Sequence, residues 1–168
     1  MRFAAPAAAL AVVFAVTASV GQSDDHVTDP RASALVTEGR AAIAAGQPDK
    51  AVDAFEAALT IDPAATSIFL DLAQAARLNG LQGKAIRYYR LALAREPENL
   101  AALSGEGAAL VEKGAMEKAR RNLAKLRSMC GDTCEETRQL ASVIAKGPQA
   151  RVLTAEAVMP DAVVSQQN

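Results

Sequence analysis

Tryptophan is absent from this chain of 168 residues, aromatic residues make up only 4%, and histidine occurs once, at position 26. Each scarcity removes a class of function. So few rings leave no platform on which unpaired bases could stack. A formal charge of −1 provides no overall basic field to neutralise phosphates, so nucleic acid is not expected as a partner. A single histidine in the N-terminal leader leaves no Ser–His or Cys–His pair to activate a nucleophile, and neither HExxH nor a phosphate-cradling glycine loop occurs. Gly105 and Gly107 form a GxG within a helical stretch rather than after a strand, which fails the context of a dinucleotide loop. The acid pairs Asp24-Asp25 and Glu135-Glu136 are adjacent rather than facing, and read as solvated surface. Neither catalysis nor a cofactor, a metal or a small-molecule substrate is implied.

Charge is also missing from the first stretch. After Arg2, the run from Phe3 to Val20 is uncharged and almost wholly apolar, and it ends in small residues before the polar Gln22-Ser23-Asp24-Asp25. This is the layout of a secretory signal, with cleavage points after Ala18 or Gly21; residues 1–21 are taken as the signal and 22–31 as a flexible leader. A periplasmic or secreted location follows as an expectation. The rival reading is an uncleaved anchor, since eighteen apolar residues reach the lower limit for a bilayer span, and membrane contact is expected only in that case. No Cys follows the run, so a lipoprotein anchor has no acceptor.

What is present is a period. Gly46, Gly80 and Gly114 stand 34 residues apart, as do Ala51, Ala85 and Ala119. The same interval joins Phe55, Tyr89 and Leu123; Gly39, Ala73 and Gly107; Leu35, Phe69 and Leu103; Ala58, Ala92 and Leu126; and Pro63 with Pro97. Each column has a steric sense. Tiny residues at 39, 73 and 107 and at 51, 85 and 119 let two helices approach, while the large residues at 55, 89 and 123 fill space against 35, 69 and 103. The glycines at 46, 80 and 114 suit helix ends, Pro48 suits a first turn, and Asp62-Pro63 and Glu96-Pro97 close two hairpins. Asp29-Pro30 caps the opening helix.

These columns resemble the tetratricopeptide repeat (TPR) family over residues 32–133. The resemblance implies an all-α, right-handed α-solenoid of three helical hairpins (32–65, 66–99 and 100–133). Glu38 and Glu106 depart from the pattern, standing where Leu72 stands in the second unit, and Gly131 replaces the closing proline of the third. Thr133 followed three residues later by Glu136 reads as a capping box opening a closing helix, 134–146. Its Thr137, Leu140, Ala141 and Ile144 share one face and can seal the third hairpin. Residues 147–168 read as a disordered tail.

Cys130 and Cys134 flank the last turn, and in an exported chain they are expected to form a disulfide that pins the closing helix. Such a pairing also resembles a feature of some exported bacterial TPR proteins. A thiol-disulfide redox role is the alternative, although the spacing is not that of a Cys-x-x-Cys site.

In a TPR stack the first helices line a concave surface. The outward positions there are Val36, Arg40 and Ile43, then Leu70, Gln74 and Arg77, then Ser104, Ala108 and Val111. This is an apolar groove with two guanidiniums, suited to a helix or extended peptide bringing carboxylates. The expected function is a non-catalytic scaffold or adaptor in the cell envelope that binds a protein or peptide partner. A membrane-anchored assembly factor of pilus or outer-membrane machinery is the second reading. Heat-shock chaperone tails are not expected, because Val36 and Asp71 stand where that TPR class needs Lys and Asn.

Overall fold

Small residues at two registers, glycine at each tight turn and a large apolar residue once per repeat leave helices little choice but to pair. In the computed structural model, which describes residues 26–148, seven helices form and there is no strand among the described residues. They are α1 Pro30–Ala44, α2 Pro48–Ile61, α3 Thr66–Leu78, α4 Gln82–Arg95, α5 Leu100–Glu112, α6 Met116–Cys130 and α7 Glu135–Lys146. The chain therefore makes three hairpins, α1/α2, α3/α4 and α5/α6, followed by a single closing helix. The expected signal (1–21), the first four leader residues (22–25) and the tail from 149 to 168 lie outside the described residues.

The three hairpin turns are built alike. Gly46, Gly80 and Gly114 all have φ near +70 to +80°, a conformation costly to any residue with a Cβ. The residue after each returns its N–H to the helix just ended: Gln47 to the Ala42 carbonyl, Leu81 to Ala76 and Ala115 to Leu110. This is the Schellman pattern, and it satisfies carbonyls that would otherwise be orphaned.

Packing follows the columns with one rearrangement. Phe55 is completely buried, and a Cβ on Gly39 would fall inside its ring, so the missing side chain is what admits it. Tyr89, the equivalent knob, presses instead on Gly105 of the next hairpin, while Gly107 makes room for Leu140 of α7. The glycine at 107 thus serves the closing helix rather than its own hairpin partner, and the GxG of α5 is two separate docking notches. Ala32, Ile68 and Leu72 complete the core around Phe55; Leu103, Leu123 and Leu126 complete the one that Leu140 enters.

First helices meet one another along the stack, α1 with α3, α3 with α5 and α5 with α7, whereas among the described residues the backbones of neighbouring second helices stay apart, α2 and α4 touching through side chains, Tyr88 Oη 3.4 Å from Glu56 Oε1. The second helices are therefore splayed on the outer face and the first helices crowd the inner one, which is the curvature of a solenoid.

Three expectations need correction. The capping box at Thr133 does not form: α7 begins at Glu135, and its N-cap is Cys134, with no side-chain cap bond. Thr133 is left exposed, and it is Thr137 that is buried, its hydroxyl 3.1 Å from the Cys134 sulfur. Within the leader, residues 26–29 are held. His26 Nε2 lies 2.7 Å from Asp62 Oδ1, the Asp29 N–H donates to Asp62 Oδ2 at 3.0 Å, and α1 is already under way at Pro30. Finally, the repeat pattern implies that Glu106, standing where Leu72 stands in the second unit, packs less apolar surface, and the structure gives it a bonding role instead. It is buried, accepts from Arg90 Nε at 2.7 Å and from Asn122 Nδ2 at 3.0 Å, and so ties α5 to α4 and α6. Glu38, by contrast, is exposed.

Candidate functional site

The inner helices leave a hollow where three of them converge. A cavity of about 460 Å³ lies between α3, α5 and α7. Its floor is short side chains of α5, Ala101, Ser104, Gly105 and Ala108; Leu70, Gln74 and Leu78 of α3 form one wall, and Gln139, Leu140 and Val143 of α7 the other. Small residues along α5 let the flanking side chains of α3 and α7 stand above it. No helix among the described residues is long and apolar enough to cross a membrane.

Of the nine positions expected to line the groove, Leu70, Gln74, Arg77, Ser104 and Ala108 come together on this cavity. The other four do not. Val36 is buried in the α1–α2–α3 core with Ile43 packed beside it, and Val111, at 1% exposure, is core between the second and third hairpins. The first and third inner helices are rotated so that Ile43 and Val111 turn inward to the core, while Arg77, at the same register of α3, stays on the cavity. Arg40 stays exposed but sits outside the cavity.

The two guanidiniums are already engaged, which corrects the carboxylate-seeking groove. Arg40 forks onto Asp71, Nε to Oδ1 at 3.1 Å and a terminal nitrogen to Oδ2 at 2.9 Å. Arg77 binds Glu112, with Nε 3.1 Å from Oε1. Asp71 raises the affinity of Arg40 for its proton. For Arg77, burial works against the charge, yet the Glu112 carboxylate and the Tyr89 hydroxyl together hold it on. Burial pushes the Tyr89 hydroxyl up, leaving it neutral. Each arginine reaches from one hairpin to an acid on the next, so both act as struts between repeats. Glu136, at the α7 rim, has no ionic partner among the described residues.

Glu112, Leu78 and the α7 residues escaped the sequence reading. The signal was available, since Leu78 and Glu112 lie one helical turn beyond Gln74 and Ala108 and 34 residues apart. The α7 wall had no periodic partner to announce it.

The cysteines are joined, Cys130 to Cys134, with Cα atoms 5.9 Å apart. Their bond ties the end of α6 to the start of α7, and hence to one wall of the cavity.

Paired helices stacked with an inner trough define a helical-repeat solenoid. In particular, residues 32–65 match the family model for the tetratricopeptide repeat, and the chain shares the fold of solved tetratricopeptide-repeat domains. The Sgt2 TPR domain from Aspergillus fumigatus is 25% identical, with a TM-score of 0.64 over 83% of this chain and 95% of that one. The first TPR of Spaghetti (RPAP3), bound to the HSP90 peptide SRMEEVD, is 22% identical, with a TM-score of 0.63 over 73% and 97%. The Yersinia enterocolitica type III secretion chaperone SycD, in complex with a peptide of the translocator YopD, is 17% identical, with a TM-score of 0.59 over 68% and 92%. No curated protein sequence matches the chain.

Proposed function

We propose that this protein is a non-catalytic scaffold that takes a peptide or helix of a partner protein into the trough between α3, α5 and α7. The observation that carries the reading is the trough itself, about 460 Å³, with a floor of small side chains, the exposed amide of Gln74 on one wall and, on the other, Gln139, whose Nε2 donates to Glu135 at 2.9 Å and whose amide oxygen accepts. Backbone can approach such a floor closely, and amides on the walls suit main-chain hydrogen bonding to an extended or helical segment. Two solved TPR structures of the same fold hold peptides of their partners, which supports the reading.

The chemistry of the occupant differs from that of an acidic tail. With Arg40 and Arg77 neutralised in place and Glu136 unpaired, the trough repels carboxylates and favours a neutral or Lys/Arg-bearing segment. The apolar run Phe3 to Val20 supports a cell-envelope location, with the chain either released to the periplasm or exterior or held as an anchored assembly factor. The native N-terminus discriminates these, near Gln22 or at Met1.

Photo-crosslinkers at Gln74 and at Ala101 in the native host test the site. Both should label one partner, and Ala101→Trp, an exposed position whose new ring would fill the trough, should abolish labelling from Gln74 with helicity unchanged. Labelling that survives Ala101→Trp refutes the trough.

A further inference from the structure

Half of the chain's 18 lysines and arginines sit on two helices. α4 carries Lys84, Arg87, Arg90 and Arg95 with no carboxylate, and α6 carries five cations against Glu117 alone. Both are second helices, so this charge lies on the outer face, and a net formal charge of −1 conceals it.

Part of it is spent within the fold. Arg90 holds Glu106, Arg95 stands 4.6 Å over the Phe69 ring, Lys125 donates to the Pro97 carbonyl, and Arg120 and Arg127 pair with Glu117 and Asp132. Lys84, Arg87, Lys118 and Arg121 remain, joined by Lys113 at the C-cap of α5, all exposed and without an ion-pair partner among the described residues. Glu106 accepts from both Arg90 on α4 and Asn122 on α6, so the two helices flank α5 and present their cations on either side of it. Between the cations lies apolar surface. A cleft of about 330 Å³ has Ile86 and Leu91 in its lining and Arg87 and Lys113 at its edge, with Leu81 44% and Leu91 38% exposed.

Cations interleaved with exposed leucines match a bilayer surface, where phosphate and hydrocarbon lie a few ångströms apart. A nucleic acid would use the cations but leave the leucines facing water, and no aromatic side chain lines the cleft to stack a base. We propose that the outer face of α4 and α6 docks on an anionic lipid bilayer, with headgroup phosphates on Lys84, Arg87, Lys113, Lys118 and Arg121 and with Leu81 and Leu91 entering the interface. The trough faces away from that surface and stays open. The assignment is independent of what the trough binds.

Lysine acylation of the full chain reads the face directly, however the N-terminal run attaches. On equimolar phosphatidylglycerol/phosphatidylcholine vesicles, Lys84, Lys113 and Lys118 should become protected while Lys50, exposed on α2, stays reactive. Pure phosphatidylcholine should give no such protection, and about 1 M salt, which shortens screening to roughly 3 Å, should remove it. Removing a cation near an anionic surface weakens partition roughly fivefold, so Lys84→Glu/Arg87→Glu/Arg121→Glu should reduce the preference for the anionic vesicles about 100-fold with helicity retained. Equal protection on both lipids, protection at Lys50 alone, or an unchanged preference in the triple variant overturns the proposal. Protection by duplex DNA without protection by vesicles also overturns it, in favour of a polymer.

Discussion

Gly105→Ala and Gly83→Ala are the same chemical change on two helices, and the structure gives them opposite signs. Alanine is favoured over glycine in a helix by up to about 1 kcal/mol, because glycine gives up more backbone freedom. At Gly83, in the first turn of α4, the nearest foreign atom to an added Cβ is Lys113 Nζ at 3.9 Å, so nothing opposes a gain of a few tenths to about 1 kcal/mol. At Gly105 the Cβ would overlap the Tyr89 ring, which is only 5% exposed and hemmed by Phe69, Ala73 and Ile86. Overpacking of this kind costs roughly 1–3 kcal/mol, leaving a net loss of up to about 2 kcal/mol after the propensity gain. For a domain of this size that is a fall of roughly 4–10 °C in melting temperature, against a rise of a few degrees for Gly83→Ala. Thermal melts followed by circular dichroism read both. A double-mutant cycle isolates the cause, since in a Tyr89→Leu background the penalty of Gly105→Ala should shrink by at least half. Should Gly105→Ala raise the melting temperature as Gly83→Ala does, the notch for Tyr89 is not a packing constraint and the register of α4 on α5 is wrong.

Phe55→Ala should cost about 3–5 kcal/mol in denaturant unfolding, because the ring is fully buried against Gly39, which has no side chain to collapse into the gap. Arg90→Ala should destabilise more than Glu106→Leu. The first takes the charged donor from a buried carboxylate and leaves it Asn122, at about 1–2 kcal/mol, whereas the second removes the charge and fills the site with carbon. For Asp62, the Asp29 N–H and the His26 ring hold the carboxyl below its usual pKa of 3.8. The folded value is lower than the unfolded one, so the stability it provides is present above pH 3.8 and lost as pH falls through the folded value. Asp62→Asn should therefore flatten the pH dependence of the melt below about pH 4, and an unchanged acid limb would refute the latch. Cys130→Ser/Cys134→Ser should lower stability by about 2 kcal/mol on the chain-entropy estimate, with helicity retained. If instead it removes a dithiol oxidase or reductase activity of the protein, the bond is a redox centre rather than a clasp.

The hairpins were readable because their constraints are local and recur. A glycine at 46, 80 and 114 ends a helix wherever it sits, and a bulky residue at 55 or 89 needs a hollow nearby. Which hollow it finds is a matter of helix rotation, which no column states, and so the notch that Gly105 offers Tyr89 stood in no column, and Val36, Ile43 and Val111 were placed on a surface they do not reach. The arginines show the same limit. Arg40 and Arg77 lie on the inner helices as the spacing indicates, but their partners, Asp71 and Glu112, are 31 and 35 residues away on the next hairpin. A charge looks free in sequence until the repeat that neutralises it is stacked beside it. Reversing both to glutamate would thus set carboxylate against carboxylate across two repeat junctions, and lost binding would report lost packing.

Averaging hid the outer face for a related reason. Net charge adds residues that the fold keeps apart, and here the fold sorts them. α4 and α6 hold nine cations to one acid, while α5 has Glu106 and Glu112 and no cation. A solenoid makes such sorting cheap, because the backbones of neighbouring second helices stand apart and their exposed positions accept a solvated side chain with little loss of packing. Positions free of structural duty would drift toward mixed charge if solubility were their whole task, since like charges on adjacent turns repel. Lys84 and Arg87 on α4 and Lys118 and Arg121 on α6, none with an acid partner among the described residues, therefore carry a standing electrostatic cost that an anionic surface would relieve.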